Sequence, residues 1–490
     1  MVIILFLSLI TVRFLLNALG VIDFGINNVV GGIVTMFIFL NYTMTNATQR
    51  FFSYELGKES NGNKITEVFH VIIIIFTVMC FIILLISQTI GLWFVMTKIN
   101  IPENRMKIIP WVYQCSIFSF VFLIIRTPFT AILIAYEDMK TYSILSILDA
   151  VLKFASVIIL FVYKYDKLKF FSILNLFVTF SVSFIFCIYV KYKFLHRKVK
   201  FNFNYQLFKK LLSYTSWSLF GNIAAVFKNQ GVNILLNVFF DPIVNAGRAI
   251  AYQVNSAILN FTSNLTLAVK PPLIKAYASN NTKRFMFLIY NSSRLNYFLM
   301  IIVSIPLLFE TKLIFKIWLK NVPDYAVLFS RLIIIDSMVE CITQPLIIAA
   351  QATGKIKKYQ ITLGCILILN LPISYLLLKL DFGPEIAMIV GIFLTLIACV
   401  ARIILIKELI NLSILKFIRE VVLYALSATV ISICCAHFVS YILKFGIFRL
   451  IILSLINILL NTISFFYLGN NKQQRIKILN KMKTTWRKYV

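Results

Sequence analysis

The chain has 490 residues, of which 60% are hydrophobic and only 13% are charged. Soluble domains carry about a quarter charged residues, so this composition excludes an ordinary soluble protein and is typical of a membrane protein. The net charge of +30 does not indicate a nucleic-acid partner. The basic residues cluster at the ends of apolar runs instead of following one soluble face.

Apolar runs follow one another along the whole sequence and predict an all-α polytopic membrane protein with about 14 transmembrane helices. Their approximate cores are 1–19, 25–46, 68–95, 108–135, 141–163, 170–190, 213–240, 250–270, 285–309, 326–350, 359–379, 385–406, 417–440 and 446–468. Kinks are expected at Pro110, Pro128 and Pro345, which lie within these runs. No connecting segment is long enough for a soluble catalytic domain. We therefore expect a protein that is not an enzyme and has no catalytic residues.

The distribution of basic residues predicts the orientation. With the amino terminus in the cytoplasm, about 28 Lys and Arg residues fall in cytoplasmic links and about 12 in outer links. The heaviest basic segments are the linker 191–212 and the tail 469–490, so both termini are predicted to be cytoplasmic. The first residues lack a basic leader and a cleavage site, and we interpret them as the first spanning helix.

The sequence is internally doubled. Two segments, 128–145 and 345–362, share residue types at identical offsets. The matching pairs are Pro128/Pro345, Ala135/Ala352, Lys140/Lys357, Tyr142/Tyr359 and Ile144/Ile361, with similar spacing between Asp23 and Asp241 and between Trp93 and Trp318. This pattern predicts two six-helix lobes of equal orientation, 1–190 and 213–406, around a central cavity, followed by a helix pair in 407–468.

At this level of detail the sequence resembles the bacterial polysaccharide (O-antigen) flippases of the multidrug/oligosaccharidyl-lipid/polysaccharide (MOP) exporter superfamily. The resemblance is carried by "NALGVIDFGINNVVGGIVTMFIFLNYTMTNATQRFFSYELGKE" (17–59), "GNIAAVFKNQGVNILLNVFFDPIVNAGRAIAYQVNSA" (221–257) and "PLIIAAQATGKIKKYQ" (345–360). It implies a fold like that of MATE transporters and lipid II flippases, in the bacterial inner membrane. It also implies transfer of an undecaprenyl-pyrophosphate-linked oligosaccharide to the periplasmic leaflet by alternating access, with a polysaccharide polymerase as a candidate partner.

Charged residues within the apolar runs are the candidate functional residues, because each is costly unless it faces protein or water. They are Arg13, Arg126, Asp149, Lys153, Lys228, Arg331, Asp336 and Glu340, and five of the eight are basic. A surplus of positive charge suits an anionic group such as a pyrophosphate. The predicted substrate-binding residues are therefore Arg13, Arg126, Lys153 and Lys228, together with Arg248, which follows "DPIVNAG" at the predicted outer mouth of span 8. For Arg248 a loop arginine near lipid head groups is the alternative.

Asp149 and Lys153 lie four residues apart, so they share one helix face and can neutralise each other. One interpretation is a self-satisfied pair that packs span 5 against a neighbour. The other is that Asp149 orients Arg126 or Lys153 toward the substrate.

Asp336 and Glu340 repeat this spacing with two acids. Either they form a proton or sodium site that couples transport to an ion gradient, or Arg331 and Lys228 neutralise them in a structural network. Arg402 and Arg50 lie near predicted span ends, where arginine side chains snorkel to the interface.

Two other functions remain as alternatives: a multidrug or small-molecule exporter of the same superfamily, and a membrane glycan polymerase or ligase. A polymerase or ligase needs a sizeable outer loop, and the longest predicted one, 96–107, has about a dozen residues. The sequence contains no phosphate-binding loop of the G-x-x-x-x-G-K-[ST] type, which disfavours transport driven directly by ATP hydrolysis. His70, His196 and His437 are dispersed, so neither a metal site nor a cofactor is expected.

Overall fold

The structure is a computed structural model that describes residues 2–35, 38–58, 62–98, 105–194, 204–240, 242–319, 322–469 and 475. All regular structure within these ranges is helical, which confirms the predicted all-α class. The chain divides into two compact units, Met1–Leu219 and Phe220–Val490, and the boundary falls inside one long helix.

The first unit is built around α5, which packs against α1, α2, α3, α6 and α7. Its helices are α1 (Val2–Thr35), α2 (Ile38–Gly57), α3 (Gly62–Ile86), α4 (Leu92–Lys98), α5 (Ile109–Ala135), α6 (Met139–Val162), α7 (Lys167–Phe194) and the first part of α8 (Tyr205–Phe239). A π-helical segment, Ser87–Gly91, joins α3 to α4, so the two form one continuous apolar span.

Helix α1 is broken at Gly20, which has a φ of 77°. Residues with a side chain rarely adopt this left-handed region, so a glycine is favoured at the break. The first predicted span, 1–19, therefore ends where the structure breaks the helix. The second predicted span, 25–46, falls on the rest of α1 and on the beginning of α2.

The second unit contains the rest of α8 and the following helices. They are α9 (Pro242–Ala278), α10 (Thr282–Trp318), α11 (Ala326–Ile342), α12 (Gln344–Thr353), α13 (Lys357–Ile368), α14 (Asn370–Lys379), α15 (Ile386–Ile410), α16 (Ile414–Phe417), the π-helical segment Ile418–Val422, α17 (Leu423–Ile442) and α18 (Ile447–Tyr467). Helix α10 packs against α9, α11, α17 and α18, and α15 packs against α11 to α14.

The C-terminal pair, α17 and α18, is held on α10 by buried polar contacts. Arg449 of α18 forms an ion pair with Glu310 of α10, with a shortest N–O distance of 2.6 Å, and the Glu310 side chain is fully buried. Asn457 of α18 donates to the backbone carbonyls of Ile301 and Ile302 at 3.2 and 3.0 Å. Polar contacts of this kind hold helices together where neighbouring lipid offers no hydrogen bonds.

The helix boundaries repeat along the chain. Helix α5 begins at Ile109 and α11 at Ala326, which is 217 residues later. Helices α6 and α14 end at Val162 and Lys379, again 217 residues apart. This spacing equals that of the matched residues Pro128 and Pro345, so the repeated sequence segments occupy equivalent helices in the two units.

Nine helical segments are long and apolar enough to span a membrane, and a tenth is added if the bent pair α11–α12 counts as one span. The count covers only the described residues. The four predicted cores outside this set are 1–19, 25–46, 213–240 and 250–270, which lie on α1, α2, α8 and α9. The chain is a multi-pass membrane protein.

The three prolines affect their helices differently. Pro110 lies in the first turn of α5, where its missing N–H costs nothing, and Pro128 lies within α5, which remains continuous. The kink predicted at Pro110 is therefore wrong, and the kink predicted at Pro128 stays a prediction. Pro345 is the second residue of α12, directly after a 43° bend from α11, as predicted. A further break, at Glu310 in α10, was not predicted.

The predicted basic linker, 191–212, lies partly on helices, since α7 ends at Phe194 and α8 begins at Tyr205. Its central part, 195–203, lies outside the described residues, as do Asp241 and His196. The predicted basic tail, 469–490, is described only at Gly469 and Arg475.

Candidate functional site

Helices α5 and α6 are joined by a short turn, and this connection brings two charged residues to the same depth. Arg126 lies nine residues before the end of α5 at Ala135, and Asp149 lies ten residues after the start of α6 at Met139. With a rise of about 1.5 Å per residue, both are about 14 to 15 Å from the turn, near the middle of a membrane span. Antiparallel neighbours therefore meet at these positions.

The three charges around Asp149 form what we name the α5–α6 charge cluster: Arg126, Asp149 and Lys153. Lys153 Nζ donates to Asp149 Oδ2 at 3.2 Å, and Arg126 Nη1 lies 3.6 Å from the same oxygen. The Arg126 guanidinium also lies over the ring of Phe186 on α7, 5.2 Å from its centroid. One carboxylate is thus shared by two cations, and the cluster keeps a surplus of one positive charge.

The members of this cluster differ in exposure. The side chains of Arg126 and Asp149 are 17% and 16% exposed, whereas that of Lys153 is 43% exposed. Among the described residues, Asp149 Oδ1 has no hydrogen-bond partner. Asp149 therefore holds Arg126 in place from α6, while the Lys153 side chain is more exposed than either. Both sequence interpretations of Asp149 and Lys153 agree with this arrangement.

A second group, the α8–α11 charge cluster, consists of Lys228 and Asp336 with Thr395 of α15. Lys228 Nζ lies 3.4 Å from Asp336 Oδ2 and donates to Thr395 Oγ1 at 3.2 Å. A cavity of about 20 Å³ lies beside them, lined also by Asn229, Tyr252, Asn370 and Gly391. This volume has room for about one water molecule.

Two polar atoms around this cavity have no hydrogen-bond partner among the described residues: Asp336 Oδ1 and Asn370 Nδ2. One is an acceptor and the other a donor, so a bound water or small cation would find polar neighbours here.

Glu340 is paired differently from the sequence prediction. Its partner is Arg402 of α15, with Nη2 3.6 Å from Glu340 Oε1. Arg402 also donates to Thr343 Oγ1 at 2.9 Å, at the bend between α11 and α12. Arg402 is 6% exposed, so the prediction that it snorkels is wrong: the bend supplies a hydroxyl and a carboxylate that hold it inside the protein.

The predicted network of Arg331 with Asp336 and Glu340 does not form as expected. Arg331 Nε lies 3.4 Å from Thr311 Oγ1 on α10, and no ion pair joins Arg331 to either acid within the described residues. Arg331 lies five residues before Asp336 on α11, which is about 1.4 helical turns. The two side chains therefore lie on different faces of α11, and Arg331 faces α10. Only the Lys228–Asp336 part of that network is present in the described part of the chain.

Arg248 is not a loop residue. It lies in α9 and is 6% exposed, and its guanidinium donates to Asn229 O at 2.7 Å and to Asn233 Oδ1 at 3.2 Å. It also lies 4.4 Å from the ring centroid of Tyr252. Arg248 thus ties α8 to α9, so the alternative of a loop arginine is wrong, and its predicted role in substrate binding stays a prediction. Arg13 lies on α1 with an exposed side chain.

Sequence reasoning missed several buried charges because they lie near span ends. Arg50, predicted to snorkel, is 2% exposed and lies within 5.4 Å of the ring centroids of Phe51, Tyr54 and Tyr214. The aromatic residues next to Arg50 were a usable signal, because arginine stacks on such rings. Glu310 and Arg449 were missed for the same positional reason.

Neither charge cluster has the ligands of a metal centre. Within the described ranges, no three His, Cys, Asp or Glu side chains come together. The cluster in the first unit has a net positive charge. The cluster in the second unit is a neutral ion pair beside a polar cavity.

Solved structures with this fold are known. A crystal structure of a MATE point mutant superposes with a TM-score of 0.71 at 12% identity, covering 84% of this chain and 94% of that one. An outward-facing multidrug resistance MATE family transporter of the MOP superfamily gives 0.69 at 11% identity, covering 84% and 93%. A MOP superfamily transporter from Pyrococcus furiosus gives 0.64 at 11% identity, covering 84% and 93%.

No protein-family model and no curated protein sequence matches the chain. The structural likeness nevertheless covers more than nine-tenths of each of these solved chains and about five-sixths of this one. The protein therefore has the fold of the MATE transporters of the MOP superfamily.

Proposed function

We propose that this protein is a flippase that moves an undecaprenyl-pyrophosphate-linked oligosaccharide from the cytoplasmic to the periplasmic leaflet by alternating access. The observation that carries the proposal is the α5–α6 charge cluster, in which two cations share one carboxylate near the middle of the membrane. An accessible Lys153 beside a fixed Arg126 suits the phosphate oxygens of a lipid-linked substrate. A cationic drug would be repelled by the same surplus charge.

Charge in the binding pocket has also been linked to function in one transporter with this fold. For the Pyrococcus furiosus neighbour, a reversed pocket polarity was taken to suggest a function different from that of its relatives. The surplus positive charge around Asp149 supports a similar distinction here. The multidrug exporter alternative shares the fold and is tested by the same experiment.

The test follows a labelled undecaprenyl-pyrophosphate oligosaccharide across proteoliposomes that contain the full-length protein. We expect wild type to flip the lipid and Lys153→Gln to reduce the rate about tenfold, since a hydrogen bond to a charged group contributes about 1.5–3 kcal/mol. Arg126→Gln should reduce it at least as much. Lys140→Gln is the matched control, because it removes the same charge from the exposed end of the same helix.

Three outcomes bear on the proposal. Loss of flipping in the cluster variants, with Lys140→Gln unaffected, supports it. If wild type moves no such lipid but exports small amphiphiles along an ion gradient, the exporter alternative replaces it. If wild type flips the lipid and Lys153→Gln flips it equally well, the cationic mechanism is wrong even though the function stands.

The proposal includes coupling to an ion at Asp336, supported by the unpartnered oxygen of this carboxylate beside a polar cavity. We expect flipping by wild type to depend on pH or sodium, and Asp336→Asn to lose that dependence. Asp324→Asn, at an exposed loop aspartate, is the control. An Asp336→Asn protein that keeps the wild-type dependence on both ions would remove Asp336 from the coupling mechanism.

A further inference from the structure

A pocket of about 380 Å³ lies at the start of α10 and shares no lining residue with the α8–α11 charge cluster. One face of α10 forms its first wall, with Thr282, Met286, Tyr290 and Arg294 at intervals of four residues. This wall runs for about 18 Å along the helix, at 1.5 Å per residue. Lys283 and Phe287, from the neighbouring row of the same helix, also line the pocket.

The opposite wall consists of Lys416 and Glu420, which lie one turn apart where α16 passes into the π-helical segment. Lys416 Nζ lies 3.8 Å from Glu420 Oε1 and 5.3 Å from the ring centroid of Tyr290. The pocket thus carries three cations, Lys283, Arg294 and Lys416, and one carboxylate. Since Lys416 is paired with Glu420, the pocket has a surplus of two positive charges.

Arg294 is the feature that points to a ligand. It is 3% exposed, and its Nε has no hydrogen-bond partner among the described residues. A buried cation with an unmet donor is costly unless an anion or water completes its contacts. Its position at the inner end of the pocket places it where an anionic group could reach it from the open end at Thr282 and Lys283, both exposed.

The surroundings match the phosphate of a lipid more closely than a free ion. The α10 segment Thr282–Trp318 and the segment Ile414–Ile442 both begin at this pocket, and both are apolar enough to span a membrane. The pocket therefore lies where spans meet the interface, at the end that the basic-residue distribution predicts to be cytoplasmic. Met286 and Phe287 add apolar surface, and the Phe287 side chain is 47% exposed.

We propose that this pocket binds the phosphate group of an anionic phospholipid, with Arg294 and Lys416 as its cationic ligands and Lys283 at the mouth. Basic pockets between membrane helices are a known way to hold anionic head groups. The proposal does not depend on the transported substrate.

The test measures binding of fluorescent phosphatidylglycerol to the full-length protein in detergent, with fluorescent phosphatidylcholine as the zwitterionic comparison. We expect tighter binding of phosphatidylglycerol to wild type. The double variant Lys283→Gln/Lys416→Gln should weaken that binding about tenfold and leave phosphatidylcholine binding unchanged. Arg294→Gln should weaken it further. Because the two lysines are exposed, the double variant is expected to fold even if Arg294→Gln does not.

Arg284→Gln is the matched control, because Arg284 is an exposed cation of the same first turn and does not line the pocket. It should change the dissociation constant less than twofold. Competition with inorganic phosphate identifies the source of the anion. If millimolar phosphate does not displace the lipid, the ligand is the phospholipid. If it displaces the lipid from wild type but not from the double variant, the pocket is a general phosphate site.

Two results overturn the proposal. One is equal binding of the two lipids by wild type. The other is an equal loss of phosphatidylglycerol binding in Arg284→Gln and in the double variant, since this would indicate an unspecific effect of surface charge.

Discussion

Arg126 and Asp149 lie on neighbouring helices at nearly equal distances from the turn between them, with Arg126 Nη1 3.6 Å from Asp149 Oδ2. Lys153 Nζ contacts the same carboxylate oxygen. The negative charge of Asp149 therefore offsets the repulsion between the two neighbouring cations. Its removal should affect stability more than the loss of either cation does.

We expect Asp149→Asn to lower the free energy of unfolding by about 1–3 kcal/mol, since it leaves two like charges together without a counter-ion. The double variant Asp149→Asn/Arg126→Gln should recover part of this loss. Thermal unfolding of the purified protein in detergent measures both. If Lys153→Gln destabilises the protein more than Asp149→Asn does, the carboxylate does not organise the cluster.

Arg449 and Glu310 form the polar attachment of α18 to α10, and the Glu310 side chain is fully buried. Replacing one member of a buried ion pair leaves the other charge without a partner, which costs about 3–5 kcal/mol. We therefore expect Arg449→Gln to lower the unfolding temperature strongly and Glu310→Gln/Arg449→Gln to restore much of it.

The exposed ion pair of Lys358 and Glu408 provides the control for this prediction. Its side chains are 71% and 54% exposed, so Lys358→Gln should change stability by less than about 1 kcal/mol. Equal shifts in unfolding temperature for Arg449→Gln and Lys358→Gln would show that burial of the pair does not matter.

The sequence predicts the helices of this fold well because the length of an apolar run is a local property. The predicted end of the first span at residue 19 adjoins the break at Gly20, and Asp149 and Lys153 form the contact that their spacing predicts. The partner of Glu340 could not be predicted in this way. Arg402 is 62 residues away in sequence, and its position depends on the bend at Thr343.

The sequence predictions also failed for residues near the ends of the predicted spans. Arg50 and Arg402 were assigned to the interface from their positions in apolar runs, but each has protein groups that replace water around its guanidinium. The length of an apolar run predicts how deep in the membrane a residue lies. It does not predict which helices pack beside that residue. Arg248 shows the same limit, because its partners Asn229 and Asn233 come from another helix.

Asp138 caps α6 and links it to α7, and this link predicts a dependence of stability on pH. Its carboxylate is partly buried, which opposes ionisation. The hydrogen bonds from Lys193, Thr141 and Tyr189 outweigh this effect and lower the pKa of Asp138 from 3.8 to about 2. A lowered pKa in the folded state stabilises the protein above pH 4, and the contribution is lost as pH falls from about 4 to about 2.

We expect the unfolding temperature of wild type to fall more steeply between pH 4 and pH 2 than that of Asp138→Asn. Asparagine is also a good N-cap, so this variant removes the charge and keeps the cap, whereas Asp138→Ala should lose about 1 kcal/mol more. Asp381→Asn, at an exposed aspartate in a loop, is the control. Parallel pH profiles for wild type and Asp138→Asn would contradict the prediction.

The cavity beside Lys228 and Asp336 can be filled from Gly391 of α15. A Cβ atom at this position would lie 3.2 Å from Asn370 Nδ2 and 3.8 Å from Lys228 Cε, so alanine fits with a small adjustment of the Asn370 side chain. The added methyl takes up room that suffices for about one water molecule. We therefore expect Gly391→Ala to change unfolding free energy by less than about 1 kcal/mol, since alanine also favours the helix.

Transport should respond more strongly than stability. If a water or cation in this cavity takes part in the transport cycle, Gly391→Ala should slow lipid flipping in proteoliposomes about tenfold and weaken its dependence on pH or sodium. Gly383→Ala adds the same methyl group where its nearest neighbours are the atoms at the flexible end of Glu385, and it should behave like wild type. Wild-type flipping and wild-type ion dependence in Gly391→Ala would mean that the cavity is a packing defect, and that the transport cycle does not use the space between Lys228 and Asn370.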